Sequence, residues 1–148
     1  MDKELRDNMK SKEYPSKMKF INYVVDHIEY RSNLDFDENE VSIDFDIRPE
    51  FMQGENDKDL IVVLDVDIFK DAEKNNYPFE MSLRLVGYFK VEDSDEKDKF
   101  KTNALAIMYP YVRSIVTSYT ANANVNPLIL PLININAFIE SRKNQKNK

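Results

Sequence analysis

Residues 103–139 read NALAIMYPYVRSIVTSYTANANVNPLILPLININAFI, and this stretch decides the architecture because it opens with a helical run that is apolar on two sides. At helical spacing, Phe100, Ala104, Ile107, Met108, Tyr111 and Ile115 share one face, while Leu105, Tyr109, Val112 and Val116 share another. A helix resting on one sheet can bury only one of the two. Pro110 removes a backbone donor and crowds the preceding turn, which predicts a kink and costs about 3 kcal/mol that packing must offset. The spacing predicts a helix end near Thr120. With no glycine at hand, one of Asn122, Asn124 or Asn126 is expected to take the left-handed conformation there. Pro127 and Pro131 hold the following connection extended, and a short helix bearing Phe138 and Ile139 closes the pattern.

Upstream, the period changes from helical to alternating. Val41, Ile43, Phe45 and Ile47 alternate with Ser42, Asp44, Asp46 and Arg48, as in a strand with one buried and one wet face. Leu60 to Ile68 repeats this, and so does Phe79 to Phe89. The polar stretches 49–59 and 70–78, with their Gly, Asn, Asp and Pro, read as hairpin loops without a helix. Residues 18–31 form a less regular strand, apolar on both faces in its middle, which predicts either coverage on both sides or a bulge. Asn33 to Asn39 then crosses to the next strand, and Asp93 or Ser94 is the expected N-cap of the long helix. Strands first and helices last predict an α+β fold: a four-stranded antiparallel sheet, then a long kinked helix and a short C-terminal helix packed on one face. The expected layout is a flexible segment over 1–17, one domain over 18–140 and a basic flexible tail over 141–148. The surplus helix face, Leu105, Tyr109, Val112 and Val116, is assigned to an interface with further copies of the chain.

Composition removes several function classes. A formal charge of −6 disfavours nucleic acid, which demands a basic surface. Gly54 and Gly87 are the only glycines, and neither belongs to a phosphate-cradling loop. There is no cysteine, which excludes disulfides and thiolate metal sites and suits a reducing cytoplasm, the expected location. Residues 1–17 lack the apolar stretch of a signal peptide, and no run approaches the roughly 18 apolar residues of a membrane span.

The run Met108, Tyr109, Pro110, Tyr111, Val112, Arg113, the loop Asn126 to Pro131 and the helix opening Ile133, Asn134, Ile135, Asn136, Ala137, behind four strands, resemble the SecB export-chaperone family over most of residues 18–140. The resemblance implies a dimer of dimers that holds unfolded polypeptide in solution without ATP or any cofactor. It implies a groove bordered by the crossover and the second helix. It also implies docking to the export motor SecA through an acidic sheet face and an acidic tail. Here those acidic positions fall at Ser82 and near His27 and Arg31, and the chain ends SRKNQKNK.

The residues themselves point the same way. Apolar side chains in loops and beside a short terminal helix are suited to an extended client without sequence preference. The candidate peptide-binding set is Leu34, Phe36, Val41, Ile43, Phe45, Leu128, Ile129, Leu130, Phe138 and Ile139. Two other readings remain: a SecB-like chaperone dedicated to one client, such as an antitoxin, and a small enzyme using Asp44, Asp46, Asp65 and Asp67. Carboxylates alternating with buried residues on a wet sheet face more often serve solvation, and His27 is the lone histidine, so no catalytic or metal residue is assigned. The acidic loops around Asp57, Asp59, Asp93 and Asp95 read as solvated surface, or as a patch for a basic partner.

Overall fold

The computed structural model describes residues 17–92 and 97–146. Four strands, β1 (Met18–Ser32), β2 (Phe45–Gln53), β3 (Asp59–Ile68) and β4 (Phe79–Val91), form one antiparallel sheet in the order β1-β4-β3-β2. A helical turn α1 (Ala72–Asn75), a long helix α2 (Lys97–Asn122) and a terminal helix α3 (Ile135–Lys146) complete the α+β fold. Because β1 and β2 are opposite edges, the chain between them must traverse the end of the sheet past β4 and β3.

The core is the product of two periodicities. Val62, Leu64, Val66 and Ile68 of β3 and Met81, Leu83, Leu85 and Phe89 of β4 share one sheet face, and Phe100, Ala104, Met108, Val112 and Val116 of α2 lie with them in one buried cluster. Each fully buried aliphatic side chain contributes about 1.5–3 kcal/mol. Gly87 belongs to this packing: a Cβ there would sit 2.7 Å from Met108 Sδ and 3.0 Å from Phe89 Cε2. Gly87→Val is therefore expected to lower stability by about 1–3 kcal/mol through overpacking. Urea denaturation checks this, and Met108→Ala in the same chain should recover part of the loss.

Several sequence expectations shift. The strand expected from Val41 begins at Phe45 and runs on to Gln53, so the expected loop 49–59 shrinks to the turn 54–58. The cause is β3, which ends at Ile68, opposite Phe45, and then turns away at Phe69 in a left-handed conformation, φ 53°. Val41 and Ile43 are left with no partner strand. Pro49 fits because β2 is an edge. The crossover accordingly spans residues 33–44 rather than 33–39. Residues 70–78 do contain a helix, the turn α1, fixed by left-handed Asp71 and Asn76 at its ends. The irregular β1 contains register shifts between Phe20 and Asn22 and between Val25 and His27, the bulges its double-faced pattern required.

Pro110 lies within α2, and it and Ala106, whose carbonyl loses a donor, are both exposed residues, so water can satisfy the vacancy. Asn124 takes the left-handed conformation after the helix, φ 62°. The tail expected to be flexible from 141 continues α3 as far as Lys146. Asp93 and Ser94, and residues 1–16, lie outside the described residues.

Leu105, Tyr109, Val112 and Val116, expected at an interface between copies, are all buried inside this one chain. They belong to one buried cluster with the sheet face, Met108 and Leu130, and the chain's own segment after α2 is hydrogen-bonded along this helix. Tyr109 Oη donates to Pro131 O, Arg113 Nε to Leu130 O at 2.8 Å, and Thr117 Oγ1 to Leu128 O at 2.8 Å. The Thr120 hydroxyl accepts from Leu128 N at 2.9 Å. Tyr109, Arg113 and Thr117 follow one another by one helical turn, so their side chains leave the same side of α2 and reach carbonyls of the extended segment. Leu130 is drawn to 0% exposure by this stitching.

Candidate functional site

The crossover is tied down at both ends before it forms a wall. Asn33 is buried, and its Nδ2 donates to Tyr77 O at 3.0 Å and to Ala72 O at 3.3 Å while its Oδ1 accepts from Asp35 N at 3.1 Å. Asn76 Oδ1 accepts from Asp37 N at 3.1 Å. At the other end, Phe69 N donates to Asp44 O at 2.8 Å, and the Tyr77 hydroxyl donates to Asp44 Oδ2 at 3.0 Å. That hydrogen bond, with burial, raises the Tyr77 pKa above the ordinary phenol value. Thus α1 serves as a post that holds the crossover off the sheet end.

Between the crossover and residues 125–128 lies a cleft of about 900 Å³ with apolar walls from Phe36, Val41, Ile43, Phe69, Phe79 and Leu128. Phe69 meets Phe79 edge to face, ring centres 5.2 Å apart, and Tyr77 at 4.8 Å. Glu38 and Glu40 stand on the rim. The cleft is open and holds no convergent set of nucleophile and base. Its chemistry is apolar contact along a length of chain, bounded by negative charge.

The structure distributes the candidate peptide-binding residues unevenly. Leu34, Phe36, Val41, Ile43 and Leu128 come together at this cleft, with Leu34 left 94% exposed. Phe45 opens β2 and is half-buried against the core. Ile129 points outward at 64% exposure, whereas Leu130 has no accessible surface. Phe138 and Ile139 pack elsewhere: Ile139 lines a separate depression with Pro49 and Phe51, and Phe138 lies under the Arg142 guanidinium at 5.6 Å. Sequence reading missed Phe69, Phe79 and the positioning residues Asn33 and Asn76. Paired asparagines beside a Tyr-Pro were the available signal, since Asn tolerates the left-handed turn.

The other sheet face carries alternating polar residues, and four of its carboxylates are engaged within the chain. Asp65 receives Arg84 Nε at 2.7 Å and Nη2 at 3.0 Å; Asp67 receives Arg48 Nη1 at 2.6 Å and Ser82 Oγ at 2.8 Å; Asp46 shares Arg48 at 3.0 Å. Asp59 pairs with Lys90 at 3.1 Å, and His27 with Glu29 at 3.5 Å. Burial opposes ionisation of Asp67, but the Ser82 and Arg48 hydrogen bonds outweigh it and hold the carboxyl below its ordinary value. The Lys90 hydrogen bond does the same for Asp59. A depressed folded pKa means the unfolded chain takes up the proton first. The stabilisation is complete above the ordinary carboxylate range near pH 4 and is lost as pH falls through it toward the folded value. The urea midpoint is expected to drop between about pH 5 and pH 3, and Asp67→Asn should flatten that slope.

An edge-to-edge crossover walling an apolar cleft, beside a long helix on one sheet, defines the class: an α+β scaffold built around an open groove. A family model described as SecB, preprotein translocase subunit SecB, matches residues 30–146. The chain belongs to the SecB family. It is 35% identical over 126 residues to an uncharacterized protein of Methanocaldococcus jannaschii, covering 80% of this chain and 79% of that one. It is 28% identical over 87 residues to the protein-export protein SecB of Anaplasma phagocytophilum, spanning 55% of this chain and 54% of that protein. Among solved structures, the SecB-like chaperone Rv1957 of Mycobacterium tuberculosis, in complex with a ChAD peptide from the HigA1 antitoxin, shares the fold. The TM-score is 0.59 at 12% identity, over 79% of this chain and 91% of that chain.

Proposed function

We propose that this protein is a cytoplasmic holding chaperone that keeps unfolded polypeptide in solution without ATP, by covering apolar segments in the cleft between the crossover and residues 125–128. The observation that carries the reading is the cleft itself: about 900 Å³, open, apolar and free of any catalytic arrangement among the described residues. Family membership and the peptide-bound state of the Mycobacterium tuberculosis relative support it. Binding the unfolded state shifts a client's equilibrium by mass action, so no energy source and no cofactor are involved.

The proposed active form is an oligomer, and its interface moves from the buried helix residues to a different stripe. Tyr111 and Tyr119 are exposed and Ile107 and Ile115 half-buried on one side of α2, beside edge strand β1 with exposed Ile21 and Val25. Tyr111 meets Tyr23 with tilted rings 4.5 Å apart and Tyr119 meets Tyr30 at 5.6 Å, which lines the junction of α2 and β1 with aromatic surface. Coupling to SecA forms no part of the proposal. On the sheet face Asp46, Asp59, Asp65 and Asp67 are already paired with Arg48, Arg84 and Lys90, which leaves them less open to a basic partner.

The test is suppression of aggregation for several unrelated denatured proteins at stoichiometric amounts of the chaperone. Protection of all of them is expected. Protection of one alone would replace general holding by a client-dedicated role of the kind the antitoxin complex exemplifies, and protection of none would remove the function.

A further inference from the structure

A second depression, of about 350 Å³, lies farther along β2 from the large cleft and is lined by Pro49, Phe51, Lys101, Ile139, Arg142 and Lys143, with Glu50 at its margin. Two of its three positive groups lie over aromatic rings. The Lys101 ammonium lies 5.4 Å from the centre of the Phe51 ring, and the Arg142 guanidinium covers Phe138 while Nη1 donates to Ile47 O at 3.0 Å. Cations fixed over rings are preorganised for an incoming anion, because little side-chain freedom is lost on binding. Among the described residues, neither Arg142 nor Lys143 meets a carboxylate. Glu50 falls on the alternate phase to Phe51 and so belongs to the outer sheet face.

The large cleft has the opposite sign. Residues 33–44 carry Asp35, Asp37, Glu38, Glu40 and Asp44 and no lysine or arginine. The chain from Ile43 to Phe51 connects the two depressions along one sheet edge, a span of about 26 Å in extended backbone. Apolar surface at both ends and reversed charge between them make the edge directional.

We infer that the depression at Phe51 binds acidic side chains of an extended polypeptide, so that a client is held in one direction, with a basic end at the crossover and an acidic end about eight residues away at Arg142 and Lys143. This rests on the cleft reading proposed above and adds a selectivity that the apolar walls alone do not provide. The occupant is a dipolar client segment, chosen by charge complementarity.

The experiment uses fluorescent peptides that share one apolar core and two lysines at one end, with two glutamates, two serines or two further lysines eight residues away, and reads affinity by anisotropy. The glutamate peptide is expected to bind about fivefold more tightly than the serine peptide, as two partly exposed ion pairs allow. That advantage should vanish at 1 M salt, where charges a few ångströms apart are screened. It should also vanish in Lys143→Glu and in Arg142→Gln/Lys143→Glu, while the serine peptide keeps its wild-type affinity. Lys143→Glu alone guards against a folding defect, since Lys143 is exposed and makes no ion pair among the described residues. Equal binding of the three peptides, or an advantage that survives both variants, overturns the inference. If no peptide binds at all, the cleft reading fails and this inference fails with it, a result distinguishable from binding that ignores end charge.

Discussion

Leu130→Ala is expected to lower the stability of the protein by about 2–5 kcal/mol, the cost of deleting a buried leucine and leaving a cavity. Leu130 has 0% exposure, and its own carbonyl accepts from Arg113 at 2.8 Å, so the residue anchors residues 125–131 against α2 in two ways. The side chain fills the core while the backbone runs along the helix. Loosening this anchor also frees Leu128, the neighbouring wall of the cleft, whose carbonyl is held by Thr117 at 2.8 Å. Chemical denaturation should therefore show a large drop in midpoint, and client affinity should fall in parallel. A change within about 0.5 kcal/mol, the scale of an ordinary surface substitution, would contradict the placement. A sequence reading that puts Leu130 among the client contacts differs on stability: it expects weakened binding with an intact fold.

The second large effect is confined to function. Phe36→Ser together with Ile43→Asp is expected to weaken the binding of an unfolded client by at least about tenfold, because a desolvated carboxylate opposite an apolar segment is unfavourable. Both residues line the cleft and sit in a crossover with no partner strand at Ile43, and Ile43 is 39% exposed, so the sheet and helix do not depend on them. Circular dichroism and the urea midpoint should stay near those of the parent while anisotropy with a permanently unfolded client reports the loss. Unchanged affinity would remove the cleft from the account, and an unfolded variant would show instead that the crossover carries the fold.

The contrast between these two variants shows where sequence reading succeeds. Alternation in Leu60 to Ile68 and Phe79 to Phe89 reports one buried sheet face directly, because each position's environment is set by its neighbours in the same strand. The helix with its internal proline and the left-handed Asn124 were legible for a similar reason: the determinants are local. Val41 and Ile43 were misread as strand because their alternation is that of a strand. Only the turn of β3 at Phe69, distant in sequence, removes their partner. The helix surplus was legible as surplus, yet its cover was not. The ladder from Tyr109, Arg113 and Thr117 to carbonyls of residues 128–131 depends on an extended segment lying antiparallel along the helix, a placement that no single residue displays. Leu105, Tyr109, Val112 and Val116 read as a face for further copies because an extended segment gives no sequence sign of packing, whereas the structure buries them in one cluster with the sheet and Leu130. The cleft itself was half legible, in Phe36, Val41, Ile43 and Leu128. Its floor residues Phe69 and Phe79 were hidden because each reads as the end of an ordinary strand.

The most direct measurement of the central claim is a map of where an unfolded client touches the chaperone. Methyl and aromatic NMR contacts with a permanently unfolded protein, collected on the full chain, provide it. The account predicts intermolecular contacts at Phe36, Val41, Ile43 and Leu128, with none at the buried Leu130. Contacts concentrated instead on the outer sheet face, at exposed Val24, Met52 and Tyr88, would contradict it.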